Sequence, residues 1–173
     1  EEDKKVDLIP LPAEDVDYSE YENHFDTIFT SPPYFNVEKY SDEDTQSYIR
    51  YQDIDSWNKN FLHRALGKMI PTLKEGGILA INIADVYASK TKTENKSYLS
   101  ICDPMNDFIQ SLPQSNYTGC IGLQLNRRPG SNNDKPESKN KKIIEPMWVW
   151  KKEDDRTLDQ IIDDTSPLNK FFV

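Results

Sequence analysis

The stretch FDTIFTSPPYFN, from Phe25 to Asn36, poses the problem of this chain. His24 to Thr30 reads as a buried strand, with Phe25, Ile28 and Phe29 apolar and Asp26 among them. Two consecutive prolines and an aromatic follow directly. Each proline lacks an N–H and holds its own φ near about −65°, and Pro33 pushes Pro32 into the extended region. The expected product is a stiff turn whose carbonyls find few donors within the chain. With the Ser31 hydroxyl, such carbonyls can accept hydrogen bonds from a ligand's amino group. Tyr34 and Phe35 offer flat faces on which a planar ring can stack.

An amino group on an aromatic ring is a poor nucleophile because its lone pair is delocalised. Fixed acceptors for both of its N–H groups favour a tetrahedral nitrogen with a localised lone pair. That is complementarity to the transition state, supplied by preorganised dipoles. It needs no thiol nucleophile, and Cys102 and Cys120, 18 positions apart, form neither a CxxC pair nor a disulfide framework. His24 and His63, the only histidines, stand at no metal-ligand spacing and are expected on the surface or in helix packing. The tetrapeptide alone is better accounted for as a rigid turn that merely closes a strand.

The flanking segments build outward from this turn. Phe35 to Asp55 is polar and aromatic with no sustained period, a loop of about 20 residues, and loops of that length in compact domains are usually functional or disordered. From Asp55 to Leu73 the residues Trp57, Phe61, Leu62, Leu66, Met69 and Leu73 share one helical face. Asp55 or Ser56 is its expected cap, Pro71 disturbs its last turn, and Gly76-Gly77 ends it. Ile78 to Ile83 reads as a fully buried strand. Asp103-Pro104 opens a second helix, Tyr117 to Leu125 is a strand, and Ile143 to Trp150 is the closing strand. Val6 to Ile9 is a candidate short strand, and Leu158 to Ile162 a candidate short helix. This alternation predicts an α/β parallel sheet whose last two strands form an antiparallel hairpin at its edge.

The 173 residues suit one domain, and a hydrophobic share of 36% supports a folded chain. We divide it into a unit over 1–152 and an acidic tail over 153–173. No apolar run approaches the roughly 20 residues of a membrane span, and no basic-then-apolar leader opens the chain, so a soluble protein of the cytoplasm is expected. A net charge of −9 argues against coating nucleic acid through overall charge. The charge is uneven, however. Glu1 to Asp26 holds ten acids against two lysines, whereas Asn126 to Lys142 holds six bases against two acids.

The motif and its surroundings together resemble the amino-methyltransferases that use S-adenosylmethionine, the DNA N6-adenine and N4-cytosine enzymes. Their motif is Asp/Asn/Ser-Pro-Pro-Tyr/Phe at the end of the fourth strand of a Rossmann-like class I sheet. FDTIFTSPPYF matches it, and KEGGILAINIADV, from Lys74 to Val86, resembles the family's Gly-Gly turn and fifth strand. IIEPMWVWKK, from Ile143 to Lys152, resembles its terminal hairpin strand. The resemblance spans roughly 8–152. It implies that Ser31, Pro32, Pro33 and Tyr34 hold the target amine. It also implies that Asp15, with Glu14 beside it, meets the cofactor's adenine, and that Asn82 and Asp85 line the pocket or cap the next turn. The family's Phe-x-Gly-x-Gly signature should precede Glu14 by several tens of residues, and the six glycines do not supply it. The resemblance therefore implies a catalytic half of the fold whose first strands are missing, and which forms a homodimer or packs against an N-terminal half.

A base must be flipped out, or already single-stranded, to enter such a pocket. Phe35, Gln46 and Arg50 on the loop, and Arg127 and Arg128 in the basic segment, are the candidate substrate contacts. DNA is the expected partner, with RNA as a second choice, and N4 of cytosine and N6 of adenine both remain open. The alternative is a catalytically silent subunit that binds nucleic acid for an active partner. If Arg127, Arg128 and the neighbouring lysines contact phosphates, DNA affinity should fall steeply between low and moderate salt. A flat dependence in a binding titration would remove them from the interface.

Overall fold

A computed structural model describes residues 6–88, 97–125 and 143–153. Its main sheet has four strands in the order β1-β2-β6-β5. These are β1 (Phe25–Thr30), β2 (Leu73–Asn82), β5 (Ser115–Leu125) and β6 (Ile143–Lys152). Only β1 and β2 are parallel; β6 runs antiparallel to both β2 and β5. The expected hairpin is present, but β6 inserts beside β2 and leaves β5 at the edge. A small second sheet pairs β3 (Val86–Ala88) with β4 (Ser97–Leu99). These three-residue strands carry too little pattern to be read from sequence.

The helical layer begins with the single turn α1 (Ser47–Arg50), inside the segment expected to be loop. A continuous helical run follows: α2 (Ile54–Trp57), a π-helical stretch (Asn58–His63), α3 (Arg64–Met69) and a 3-10 turn (Ile70–Thr72). Its cap is Asp53, whose Oδ1 accepts the Ser56 N–H at 2.8 Å, rather than Asp55 or Ser56. The π stretch buries Asn58, Phe61 and Leu62, and the Asn58 amide donates to the Ser100 carbonyl at 3.2 Å. Strand β2 starts directly at Leu73, so Gly76 and Gly77 lie within the strand and not at a helix end. The second helix, α4 (Cys102–Ser111), places Asp103 inside its first turn and buries Cys102, Met105 and Ile109. His63 stacks on Phe108 with centroids 4.5 Å apart, which bears out a helix-packing role, and its desolvation lowers its pKa.

One face of the sheet meets these helices. Leu79, Ile81, Ile83 and Trp150 join Trp57, Leu62, Leu66, Ile101, Met105 and Ile109 in a single core. Alternation along β1 sends Ile28 to that core and leaves Phe29 on the opposite face, 66% exposed. The expectation of a buried β1 is therefore corrected. The strand stands at the sheet edge with one face covered, and a fully buried strand needs neighbours on both edges and both faces. Val6 to Ile9 forms no strand and is exposed. The basic segment 126–142 and the candidate helix Leu158 to Ile162 lie outside the described residues.

Gly77 is required by a close approach of backbones. A Cβ there would stand 2.8 Å from the Lys74 carbonyl oxygen and 3.3 Å from that of Asp26. Gly77→Ala should therefore lower stability by about 1–3 kcal/mol in urea unfolding followed by tryptophan fluorescence. An unchanged midpoint would show that the Lys74 carbonyl yields without cost.

Candidate active site

Parallel pairing sets Thr30 opposite Ile81, so the chain leaves β1 and β2 at the same end of the sheet. Antiparallel β6 starts at that end, with Met147 opposite Asn82, and β5 ends there, with Leu125 opposite Ile143. Ser31-Pro32-Pro33-Tyr34 thus follows the carboxyl end of β1, the end at which open α/β sheets bind ligands.

Ser31 is exposed and Pro32 buried. The turn closes on itself further on. The Pro33 carbonyl accepts the Phe35 N–H at 2.9 Å and the Tyr34 carbonyl accepts the Val37 N–H at 3.0 Å. Two carboxylates bracket Tyr34. Its N–H donates to Glu38 Oε2 at 3.2 Å, and its hydroxyl lies 3.5 Å from Glu145 Oε2 on β6. Neither glutamate stands out in the sequence, because each is one acid among thirty with no local pattern.

Phe35 differs from its expected role. Its φ of 47° is a conformation that non-glycine residues rarely adopt, and its ring is buried, meeting Trp57 edge-on at 5.9 Å. It anchors the turn to the core instead of presenting a face to a base. Trp57 is fully buried and donates its indole N–H to the Ser47 hydroxyl at 3.0 Å. The segment after the motif is thereby drawn onto the helical layer. Gln46 sits at the N-terminus of α1, where its carbonyl accepts the N–H groups of Ile49 and Arg50.

The structure joins three predicted residues that sequence had assigned to two different jobs. Arg50 Nη1 lies 2.5 Å from Glu14 Oε1 and 2.8 Å from Asp15 Oδ2. Glu14 is 1% exposed, and Tyr51 also donates to its Oε1 at 3.4 Å. Lys68 pins the segment from behind, through the carbonyls of Glu14 and Val16 at 2.9 and 3.0 Å. The hydrogen bond from Arg50 holds the Asp15 carboxyl below its ordinary range. Arg50 therefore faces the acidic segment, where the sequence had suggested base or phosphate. Arg127 and Arg128 lie outside the described residues.

Asp85 acts as a cap. Its Oδ1 accepts the N–H groups of Ile101 and Cys102 at 2.7 and 2.9 Å, and Tyr98 donates its hydroxyl to Oδ2. Asn82 ties β2 to β6 through the Pro146 carbonyl at 3.1 Å. Burial pushes the Cys102 thiol up to about 12, which leaves it protonated and inert as a nucleophile. Among the described residues no cluster could hold a metal ion, and no helix is long and apolar enough to cross a membrane.

The DNA methylase family profile matches residues 25–167. The chain belongs to the DNA methylase family. Among solved structures it is similar to TTHA0409 of Thermus thermophilus, assigned by name only to the DNA modification methylases. In complex with S-adenosyl-L-methionine, that protein aligns with 93% of this chain at 18% identity and a TM-score of 0.54. Its selenomethionine derivative aligns with a TM-score of 0.53. At this identity the likeness shows the methyltransferase fold alone. The DNA methylase chain spans 60–62% of the length of TTHA0409. A search of the curated proteins finds none that matches.

Asp85 links β2, β4 and α4 electrostatically. Burial would raise its pKa, but the two N–H groups and the Tyr98 hydroxyl outweigh it and hold the carboxyl below its ordinary value. A depressed folded-state pKa stabilises above the unfolded value, and that contribution disappears as pH falls through the folded one. Asp85→Ala should cost about 1–2 kcal/mol at neutral pH. It should also flatten the loss of stability below about pH 4. Parallel acid-unfolding curves for mutant and wild type would disprove this role.

Proposed function

We propose that this DNA methylase chain carries the catalytic centre of an S-adenosylmethionine-dependent methyltransferase acting on the exocyclic amine of a DNA base, N4 of cytosine or N6 of adenine. The observation that carries the proposal is the Ser31–Tyr34 turn at the carboxyl end of β1. The carbonyls of Pro33 and Tyr34 are already bonded within the turn. The Ser31 hydroxyl and the Pro32 carbonyl are thereby the acceptors for the two amine hydrogens. Held in this way, the nitrogen turns its lone pair away from the base ring, and its pyramidal form is favoured before reaction. The Tyr34 ring is the stacking surface, with its backbone N–H held by Glu38 and its hydroxyl by Glu145.

Asp15 suits the amino end of an adenine, being a partly exposed carboxylate held ionised by Arg50. The chain's glycines supply no phosphate-binding or methionine-binding turn before this segment. The residues present thus fit one end of the cofactor, and the other end requires further structure. When bound, S-adenosylmethionine supplies the methyl group from its sulfonium centre. We place that further structure along the edge of β1 and over the face that carries Phe25 and Phe29, which are 37% and 66% exposed, either as an N-terminal half or as a second copy of the chain. A DNA substrate agrees with a cytoplasmic location.

A second reading, a silent nucleic-acid-binding subunit, draws on the missing glycine signature. Activity separates the two. In the complete protein, Ser31→Ala and Tyr34→Ala should each lower methyl transfer into DNA by about 100-fold or more. The melting temperature of Ser31→Ala should stay close to that of the wild type, and Tyr34→Phe keeps the partly buried ring where the alanine variant loses its packing. Mass spectrometry of the digested nucleosides identifies the methylated base. Retained transfer in either variant overturns the site, and an inactive wild type supports the silent subunit.

A further inference from the structure

Arg50 and Tyr51 lie beyond the catalytic turn in sequence, yet they close over a segment 36 and 37 residues earlier. The contact is asymmetric. Glu14 is buried, with Oε1 held by Arg50 and Tyr51 and Oε2 enclosed without a hydrogen-bond partner among the described residues. Its neighbour Asp15 has a side chain 36% exposed, with Oδ2 taken by Arg50 and Oδ1 meeting only Arg64, at 3.8 Å, among the described residues. One carboxylate is therefore an internal anchor, and the other is open to a ligand.

From this geometry we infer that Arg50 is a positioning residue for the cofactor, orienting Asp15 Oδ1 to accept the amino group of its adenine, while Glu14 serves as the buried anchor of that arrangement. The inference rests on the methyltransferase reading above and extends it. Two adjacent carboxylates repel each other, and a single guanidinium nitrogen between them removes that repulsion and sets the rotation of Asp15. The arrangement also couples the two halves of the site. Phe35 on Trp57 and Trp57 on Ser47 lead from the catalytic turn into α1, and α1 ends at Arg50.

Both contacts use the same nitrogen, Nη1, so a lysine ammonium can replace it as a point charge. This separates positioning from general packing. The complete protein would be titrated calorimetrically with S-adenosylhomocysteine and with S-inosylhomocysteine, in which a carbonyl oxygen replaces the adenine amino group. Wild type should prefer the adenosyl compound by about tenfold or more, as expected for a hydrogen bond to a charged group. Arg50→Met should erase most of that preference by weakening the adenosyl compound alone. Arg50→Lys should restore it to within about threefold.

A preference unchanged in Arg50→Met overturns the inference, as does equal weakening of both compounds, which marks a structural residue only. If Arg50→Met does not fold, Asp15→Asn on the exposed side chain decides against Arg50→Lys. Loss of preference in the former and its retention in the latter supports the inference, and any other pairing overturns it. A wild type that binds the adenosyl compound without preference overturns it and leaves the methyltransferase reading standing. A wild type that binds neither overturns both.

Discussion

The burial of Trp57 is the interaction on which the described structure depends. Its indole is fully enclosed, and its one polar atom is satisfied by the Ser47 hydroxyl. An indole N–H left without an acceptor in such a core would carry a desolvation cost of about 1–3 kcal/mol. Ser47 must therefore come to Trp57, and the segment after the catalytic turn comes with it. Phe35 packs on the same ring and accepts an unfavourable backbone conformation to do so. The strain at Phe35 is offset by aromatic burial, and the offset holds Ser31 to Tyr34 at a definite angle to the sheet.

Around this anchor the acidic side chains divide by partner. Glu14 and Asp15 share Arg50, Asp85 collects two helix N–H groups and a phenol, and Glu38 and Glu145 bracket Tyr34. In each case a carboxylate joins segments that are distant in sequence or held apart by a turn. A chain with net charge −9 thus uses part of its excess acid as internal fasteners.

Several features were legible because local chemistry sets them. The apolar face from Trp57 to Leu73 is a periodicity, and the run across Ile78 to Ile83 is continuous, so both elements could be read directly. The helix is nonetheless interrupted by a π stretch, and β2 begins at Leu73, ahead of its glycines. Those boundaries depend on what packs against them. The exposure of β1 was misread because FDTIF has the composition of a buried strand, whereas burial depends on neighbours that a local window does not contain.

By itself, the sequence determined the Ser-Pro-Pro-Tyr turn, the order of the main elements and the membership of a methyltransferase family. Proline restricts its own φ, hydrophobic periodicity needs only neighbouring residues, and a motif is a local pattern. Only the tertiary structure decided that Phe35 is a core residue, that Asp85 caps a helix 17 residues further on, and that Arg50 belongs to Glu14 and Asp15. Each of these is a pairing between segments with no sequence relation to one another. Their partners are chosen by the shape of the folded chain and by the cost of leaving a buried charge or N–H unpaired.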